Sequence, residues 1–206
     1  MRPASRKRVA VLISGRGSNM KSLVEGARVA DYPAEIALVL SNRPDAAGLA
    51  WAAAQGIATT VVDHKAFGKD REHFERAMQA VLGDHRIDIV CLAGFMRLLT
   101  PWFVGQWRGR MLNIHPALLP AYRGLHTHER ALADGVKLHG ATVHFVVPEM
   151  DEGPIVDQAA VRVADADTPE TLGARVLEQE HILYPRALAL VASGRFRIEG
   201  NRVLAA

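Results

Sequence analysis

The chain has 206 residues, 49% hydrophobic and 23% charged, a size and balance that suit one packed domain and exclude disordered, collagen-like and fibrous classes. Its formal charge is +3, from 25 basic and 22 acidic residues; Arg2, Arg6, Lys7 and Arg8 alone exceed that surplus, so the body is near neutral and lacks the basic stripe of a nucleic-acid binder. Cys91 is the single cysteine, which rules out an intramolecular disulfide and a cysteine-based metal cluster and suits a reducing cytoplasm, while no apolar run approaches the ~18 residues of a membrane span.

Residues 1–8 read as a basic leader. The apolar run after it, 9–13, is broken at once by Ser14 and Gly15, too short for a signal peptide. Short apolar runs bounded by turn residues predict strands at 9–14, 35–41, 59–62, 89–93 and 110–114, with helices starting near Asn19, Ala46, Asp70 and Pro101. Strands with few interleaved polar residues, alternating with helices, describe a parallel sheet covered on both faces. After Pro120 the pattern changes. A short helix is predicted over 127–133, then two extended strands over 140–147 and 155–163, joined across 148–153 and suited to antiparallel pairing. Thr168 as N-cap and Pro169 at the first helical position open a long helix toward Ala192. A hairpin, 195–198 with 202–204, turns at Gly200 and Asn201. The expected fold is one α/β domain over 1–206: a mostly parallel twisted sheet flanked by helices, Rossmann-like in its N-terminal half, with antiparallel strands in its C-terminal half.

Chemistry concentrates at three places. Val-Leu-Ile-Ser-Gly-Arg-Gly-Ser-Asn-Met over 11–20 sets two glycines between a strand and a helix, where backbone N–H groups and a helix N-terminus meet an anion. A dinucleotide fingerprint needs a third glycine where Met20 stands and an acid where Ser41 and Asn42 stand, and the P-loop lysine is missing. A phosphate monoester on Gly17, Ser18 and Asn19 fits better than NAD or ATP; the other reading is a plain tight turn. In Leu-Asn-Ile-His-Pro, 112–116, strand alternation puts Asn113 and His115 on one side. Such a histidine is structural unless an acid partners it. Met-Asp-Glu-Gly-Pro, 150–154, supplies Asp151 in a loop between the two late strands. An Asp–His pair favours an imidazolium proton donor, and an asparagine amide can donate to a developing oxyanion.

Together with Leu-Ala-Gly-Phe-Met-Arg-Leu-Leu (92–99), Gly-Leu-His-Thr-His (124–128), His-Gly-Ala-Thr-Val-His-Phe-Val (139–146) and Glu-Gln-Glu-His-Ile-Leu-Tyr-Pro (178–185), these segments make the chain resemble the phosphoribosylglycinamide formyltransferase family from about residue 9 to 190. The resemblance implies direct attack of the amine of glycinamide ribonucleotide on the formyl carbon of 10-formyltetrahydrofolate, in purine synthesis, without a covalent enzyme intermediate or a metal. It implies that Asn113 and His115 stabilise the oxyanion and that Asp151 holds His115 in its protonated form. Gly17, Ser18 and Asn19 would take the ribose phosphate, and Glu180 would contact the ribonucleotide. Met96, Arg97, Leu98 and Leu99, with Asn113 and the loop Val147, Pro148, Glu149, Met150 and Asp151, would hold the folate. Arg71 matches a folate-side arginine once one extra residue is allowed in the preceding loop. On this reading, 9–100 is a phosphate-binding half and 101–206 a folate-binding, catalytic half. The partners are small molecules, with neither nucleic acid nor membrane, and the chain acts as a cytoplasmic monomer or homodimer.

Three rivals remain. His126-Thr-His128 with His115 suggests a metal site, which the helix predicted from Thr127 distorts. Methionyl-tRNA formyltransferase shares the Asn, His and Asp pattern but leads one to expect a further C-terminal domain, and formyltetrahydrofolate deformylase a domain ahead of the first strand. A phosphate-ligand sensor would use the 15–19 loop and do no chemistry.

Overall fold

Residues 6–205 are described by the computed structural model, so residues 1–5 of the basic leader expected over 1–8 lie outside them. The last three residues of that stretch belong to the fold. Arg6 donates Nε to the Ala34 carbonyl at 2.9 Å, β1 runs Lys7–Ile13, and Arg8 pairs with Glu35 at 2.7 Å. The leader ends sooner than its charge suggests because guanidinium groups at the start of a strand find carbonyls and a carboxylate on adjoining segments.

Next in order come α1 (Ser18–Gly26), β2 (Ala34–Ser41), α2 (Ala47–Ala54), β3 (Ala58–Val61), α3 (Arg71–Asp84), β4 (Ile89–Leu92), α4 (Pro101–Gln106) and β5 (Met111–His115). A 3-10 turn at His64–Phe67, capped by Asp63 accepting from Lys65 N, was not predicted. Beyond β5 lie α5 (Thr127–Ala133), β6 (Leu138–Phe145), β7 (Ile155–Arg162), α6 (Pro169–Ser193) and the hairpin β8 (Phe196–Glu199) and β9 (Arg202–Ala205).

The nine strands form one sheet in the order β3-β2-β1-β4-β5-β6-β7-β9-β8. From β3 to β5 every pairing is parallel; β6 then runs antiparallel to β5 and to β7. This is the expected α/β architecture, Rossmann-like before β5 and mostly antiparallel after it, the exception being the short parallel pairing of β7 with β9. Chain order reverses between β1 and β4, and the crevice outside the carboxyl ends of such strands is where open α/β sheets bind ligands.

Alternation along β1 explains the layering. Val9, Val11 and Ile13 pack with Met20 and Leu23 of α1 and Leu183 and Leu188 of α6. Ala10 and Leu12 face the other way, onto Phe74, Met78 and Leu82 of α3 and Phe103 of α4. Both sheet faces are therefore dry, which is why the parallel strands read as unbroken apolar runs. Helix α6 starts as the sequence predicts, with Thr168 accepting from Thr171 N and Pro169 at its first turn. It continues through Pro185 despite the lost hydrogen bond, because its buried face is anchored: the Tyr184 hydroxyl lies 3.0 Å from the Leu92 carbonyl and 3.1 Å from that of Leu112. That anchor spans β4 and β5 and sets Glu180, one turn earlier, beside their carboxyl ends.

The strand that supports the site has one position that tolerates no side chain. A Cβ at Gly140 would stand 2.0 Å from the Ala159 carbonyl oxygen on the paired strand, and backbone in a ladder cannot step aside. Gly140→Ala is expected to cost roughly 3 kcal/mol by forcing β6 from β7, read as a fall in the urea midpoint; an unchanged midpoint would refute that packing.

Candidate active site

The β1 and β4 loops are tied before any ligand arrives. Ser14 N donates to the Gly94 carbonyl at 3.2 Å, and Ser14 Oγ donates to Asn42 Oδ1 at 2.6 Å and accepts from Met96 N at 2.8 Å. Gly17 then takes a left-handed conformation, φ 69°, at the N-cap of α1, turning the chain so that Asn19 faces inward. Asn19 is buried; its Nδ2 donates to Glu180 Oε2 at 2.6 Å, which leaves Oδ1 buried without a donor. Burial raises the pKa of Glu180, and the Asn19 hydrogen bond pulls it back.

A cavity of about 530 Å³ opens at this sheet end, within the ~300–1,000 Å³ of small-molecule sites. It brings together Asn19, Glu180, Asn113, His115 and Asp151 with Met96, Arg97, Leu98, Leu99, Val147, Pro148 and Met150. Gly17, Ser18, Arg71 and Glu149 do not line it. Ser18 opens instead on a groove between α1 and α6, beside Lys21 and His181, and Glu149 is exposed on the loop after β6. Arg71 acts on the wall: its Nη2 donates to the Leu98 carbonyl at 2.6 Å. The same segment is held at its far end by buried Glu75, which accepts from Thr100 N at 2.7 Å.

At the centre, Asn113 and His115 occupy alternate positions of β5 and share the cavity side. Asp151 reaches them from the loop between β6 and β7 in a left-handed conformation, φ 57°. Its Oδ2 accepts from Gly124 N at 2.8 Å and lies 3.5 Å from His115 Nδ1. On the ring's other side, Nε2 is 2.9 Å from the Tyr122 carbonyl. A carbonyl can only accept, so Nε2 carries a proton and Nδ1 faces the carboxylate.

His144 is the centre's unpredicted member. It stands directly across from Asn113 in the antiparallel register, next to a register shift between Val143 and His144. Its Nδ1 faces the Phe145 carbonyl at 3.0 Å, which assigns the proton there, and burial lowers its pKa. Neutral Nε2 is then an acceptor for Asn113 Nδ2 at 3.2 Å, with Asp151 Oδ1 3.7 Å away. That contact orients the Asn113 amide, nitrogen toward His144. Sequence reasoning assigned no role to His144 because its partner is defined by strand register; the alternation of β6 was the only signal. The backbone groups of Tyr122 and Gly124 carry no side-chain signature at all.

The histidines considered for a metal diverge. The His126 ring lies beside Glu129, Nδ1 to Oε1 3.4 Å, whereas His128 Nδ1 is 3.2 Å from His139 Nε2. Among the described residues, no group of three histidine, cysteine or carboxylate side chains is arranged to hold a metal.

Comparison with known proteins places this geometry. Residues 7–188 match the family described as Formyl transferase. Phosphoribosylglycinamide formyltransferase of Escherichia coli is 43% identical over 193 residues, 94% of this chain and 91% of that protein. The human trifunctional purine biosynthetic protein adenosine-3 is 50% identical over 194 residues, but the chain spans only 19% of its length. The crystal structure of phosphoribosylglycinamide formyltransferase from Brucella melitensis superposes with a TM-score of 0.88 at 51% identity, covering 98% of this chain and 100% of that one.

The Glu180 environment has a measurable pH signature. A carboxyl whose folded pKa is raised holds its proton more tightly folded than unfolded, so it favours the fold below its ordinary value of 4.5 and loses that contribution as pH climbs through the raised value. Glu180→Gln removes the titration. Its melting temperature is expected to exceed the parent's near pH 8, with the gap closing toward about pH 5; calorimetry showing a pH-independent gap would refute the assignment.

Proposed function

The chain belongs to the formyl transferase family, and from that premise we propose that it catalyses the phosphoribosylglycinamide formyltransferase reaction, moving a formyl group from 10-formyltetrahydrofolate to the amine of glycinamide ribonucleotide in purine biosynthesis. One observation carries the proposal: an amide, an imidazole and a carboxylate from β5 and the β6–β7 loop meet in a cavity with Asn19 and Glu180 also in its lining. Met96, Leu98, Leu99, Val147 and Met150 make the rest of that lining greasy, which suits a flat heterocycle whose polar edges meet backbone groups.

The folate supplies the formyl carbon; the rest falls to the chain. Asn113 has two amide hydrogens, one directed to His144 Nε2, and the other is free to meet the oxygen that becomes anionic as the amine adds. His115, as an imidazolium between the Asp151 carboxylate and the Tyr122 carbonyl, places positive charge beside the same oxygen from a side chain that is itself buried. Asp151 Oδ2 is taken by Gly124 N, and Oδ1 lies 3.7 Å from His144 Nε2, open to receive the proton that the attacking nitrogen sheds. One proton leaves that nitrogen and one returns to the departing folate nitrogen, so the centre needs only to relay it. Gly17 and Ser18, at the N-terminus of α1, offer backbone N–H groups to the ribose phosphate, and Glu180 with Asn19 Oδ1 offers acceptors to sugar hydroxyls. Arg71 supports the folate side through Leu98. We assign the reaction to the cytoplasm, in keeping with a lone, buried and unpaired Cys91.

Asn113→Ala is expected to lower kcat by roughly 10²–10³, the loss typical of one oxyanion donor, and His115→Ala to lower turnover while ribonucleotide still binds. Spectrophotometry of folate deformylation with and without ribonucleotide, beside calorimetric titration of ribonucleotide alone, measures both. Formyl loss indifferent to the amine would assign hydrolysis instead, and full activity in His115→Ala would remove the mechanism.

A further inference from the structure

At the edge of the cavity, half-buried His128, which lines it, meets a fully buried histidine that the reaction does not use. His139 of β6 is 1% exposed, and its Nε2 meets His128 Nδ1 of α5 at 3.2 Å, the rings nearly perpendicular at 88°. Burial, and then the charge His128 would carry, push the His139 pKa down to about 4; burial likewise lowers His128, with Glu129 opposing. Two neutral imidazoles can share one N–H···N bond, which two cations cannot. They also put no positive charge beside His115, whose charge would repel theirs.

The pair is seated from both sides. On α6, Gly173 makes room for it: a Cβ there would stand 3.0 Å from His128 Cδ2 and 3.2 Å from Nε2. On the cavity side, Tyr122 sets its ring edge against His139, centroids 5.7 Å apart, with the Arg130 guanidinium 5.5 Å over the Tyr122 ring. Tyr122 is also one of five non-glycine residues with positive φ among the described residues, at 57°, a conformation that bulky side chains avoid. That conformation has a consequence: it turns the Tyr122 carbonyl onto His115 Nε2 at 2.9 Å.

We propose that Tyr122, seated on the His128–His139 pair, is a positioning residue that fixes the ring of His115 through its backbone carbonyl. The side chain is the handle and the carbonyl the tool. Without the ring's seat, the loop has no reason to keep a left-handed residue there, the carbonyl swings away, and His115 is free to rotate off Asp151. His139 and His128 act at one remove, as the floor under Tyr122. This role rests on the formyl-transfer reading only for its kinetic arm.

Three variants and two readouts test it, with circular dichroism confirming the fold of each. Tyr122→Ala is expected to lower kcat about tenfold, with KM for both substrates within about twofold, as a misplaced rather than missing group does. Tyr122→Phe keeps the ring and is expected to keep the parent's kcat. Gly173→Ala crowds His128 and is expected to move kcat in the same direction as Tyr122→Ala. Independently of turnover, the ¹³Cε1 signal of His115 in labelled protein is expected to shift in Tyr122→Ala and stay in Tyr122→Phe. A parent protein without turnover would defeat the formyl-transfer reading while the His115 signal still decides this one. An unshifted His115 signal in Tyr122→Ala, or a Phe variant as damaged as the Ala variant, overturns the proposal.

Discussion

The centre of this molecule depends on one carboxylate held between two imidazoles. Asp151 is 3.5 Å from His115 and 3.7 Å from His144, and its side chain is only 10% exposed. A charge so placed is costly unless hydrogen-bonded. The Gly124 N–H satisfies one oxygen at 2.8 Å, and that bond, together with the Arg123–Glu152 ion pair, joins the loop after β6 to the loop after β5. Everything that gives the cavity its chemistry follows from these two loops being closed on each other: the wall around Asn113, the carbonyl on His115, and the acid beside it. The two imidazoles are also differentiated by their surroundings. His144 has a carbonyl on Nδ1 and an amide donor on Nε2, which fits a neutral ring, whereas His115 has acceptors on both sides.

Sheet direction makes that closure possible. A parallel sheet alone would gather only the carboxyl ends of its strands and the helix N-termini that follow them, a good anion site but one poor in side-chain acid and base. Reversing direction at β5–β6 adds a strand whose residues face β5 across an antiparallel ladder, so Asn113 acquires His144 as its cross-strand neighbour. The next loop then returns Asp151 to the same end. On the proposed reading, anion binding and proton chemistry come from different halves of one sheet, and α6 spans them: Tyr184 is bonded at both Leu92 and Leu112 while Glu180 reaches Asn19.

What the sequence made legible follows the physics of each residue. Asn113 and His115 were readable because strand alternation is periodic and local. Asp151 was readable because an acid between glycine, proline and two strands has few structural duties. Thr168 and Pro169 marked the start of α6 because capping is local too. By contrast, His144 is defined by register, and register depends on a partner strand far along the chain. Tyr122 and Gly124 contribute backbone atoms, which every residue has. Arg6 and Lys7 look like a solvated leader by charge alone, and only the presence of Ala34 beside them ties Arg6 down and draws Lys7 into β1. Gly17 and Ser18 sat in a glycine-rich turn that does face the carboxyl edge, yet neither lines the main cavity, and Ser18 borders the groove between α1 and α6.

The polarity of the cavity carries the last step. A primary amine attacks only when uncharged, and an enzyme that binds it beside an exposed carboxylate would hold it as an ammonium ion. Of the carboxylates lining the cavity, Glu180 accepts from Asn19, Asp151 accepts from Gly124 through Oδ2 alone, and Glu129 lies beside His126. Burial of Glu180 favours its neutral form, which weakens its pull on a cation while leaving it a hydrogen-bonding group. On the proposed formyl transfer, a site built this way loses little by admitting a neutral amine and gains most when negative charge develops on the formyl oxygen. That difference between ground state and transition state, rather than tight binding of either substrate, is what accelerates a reaction.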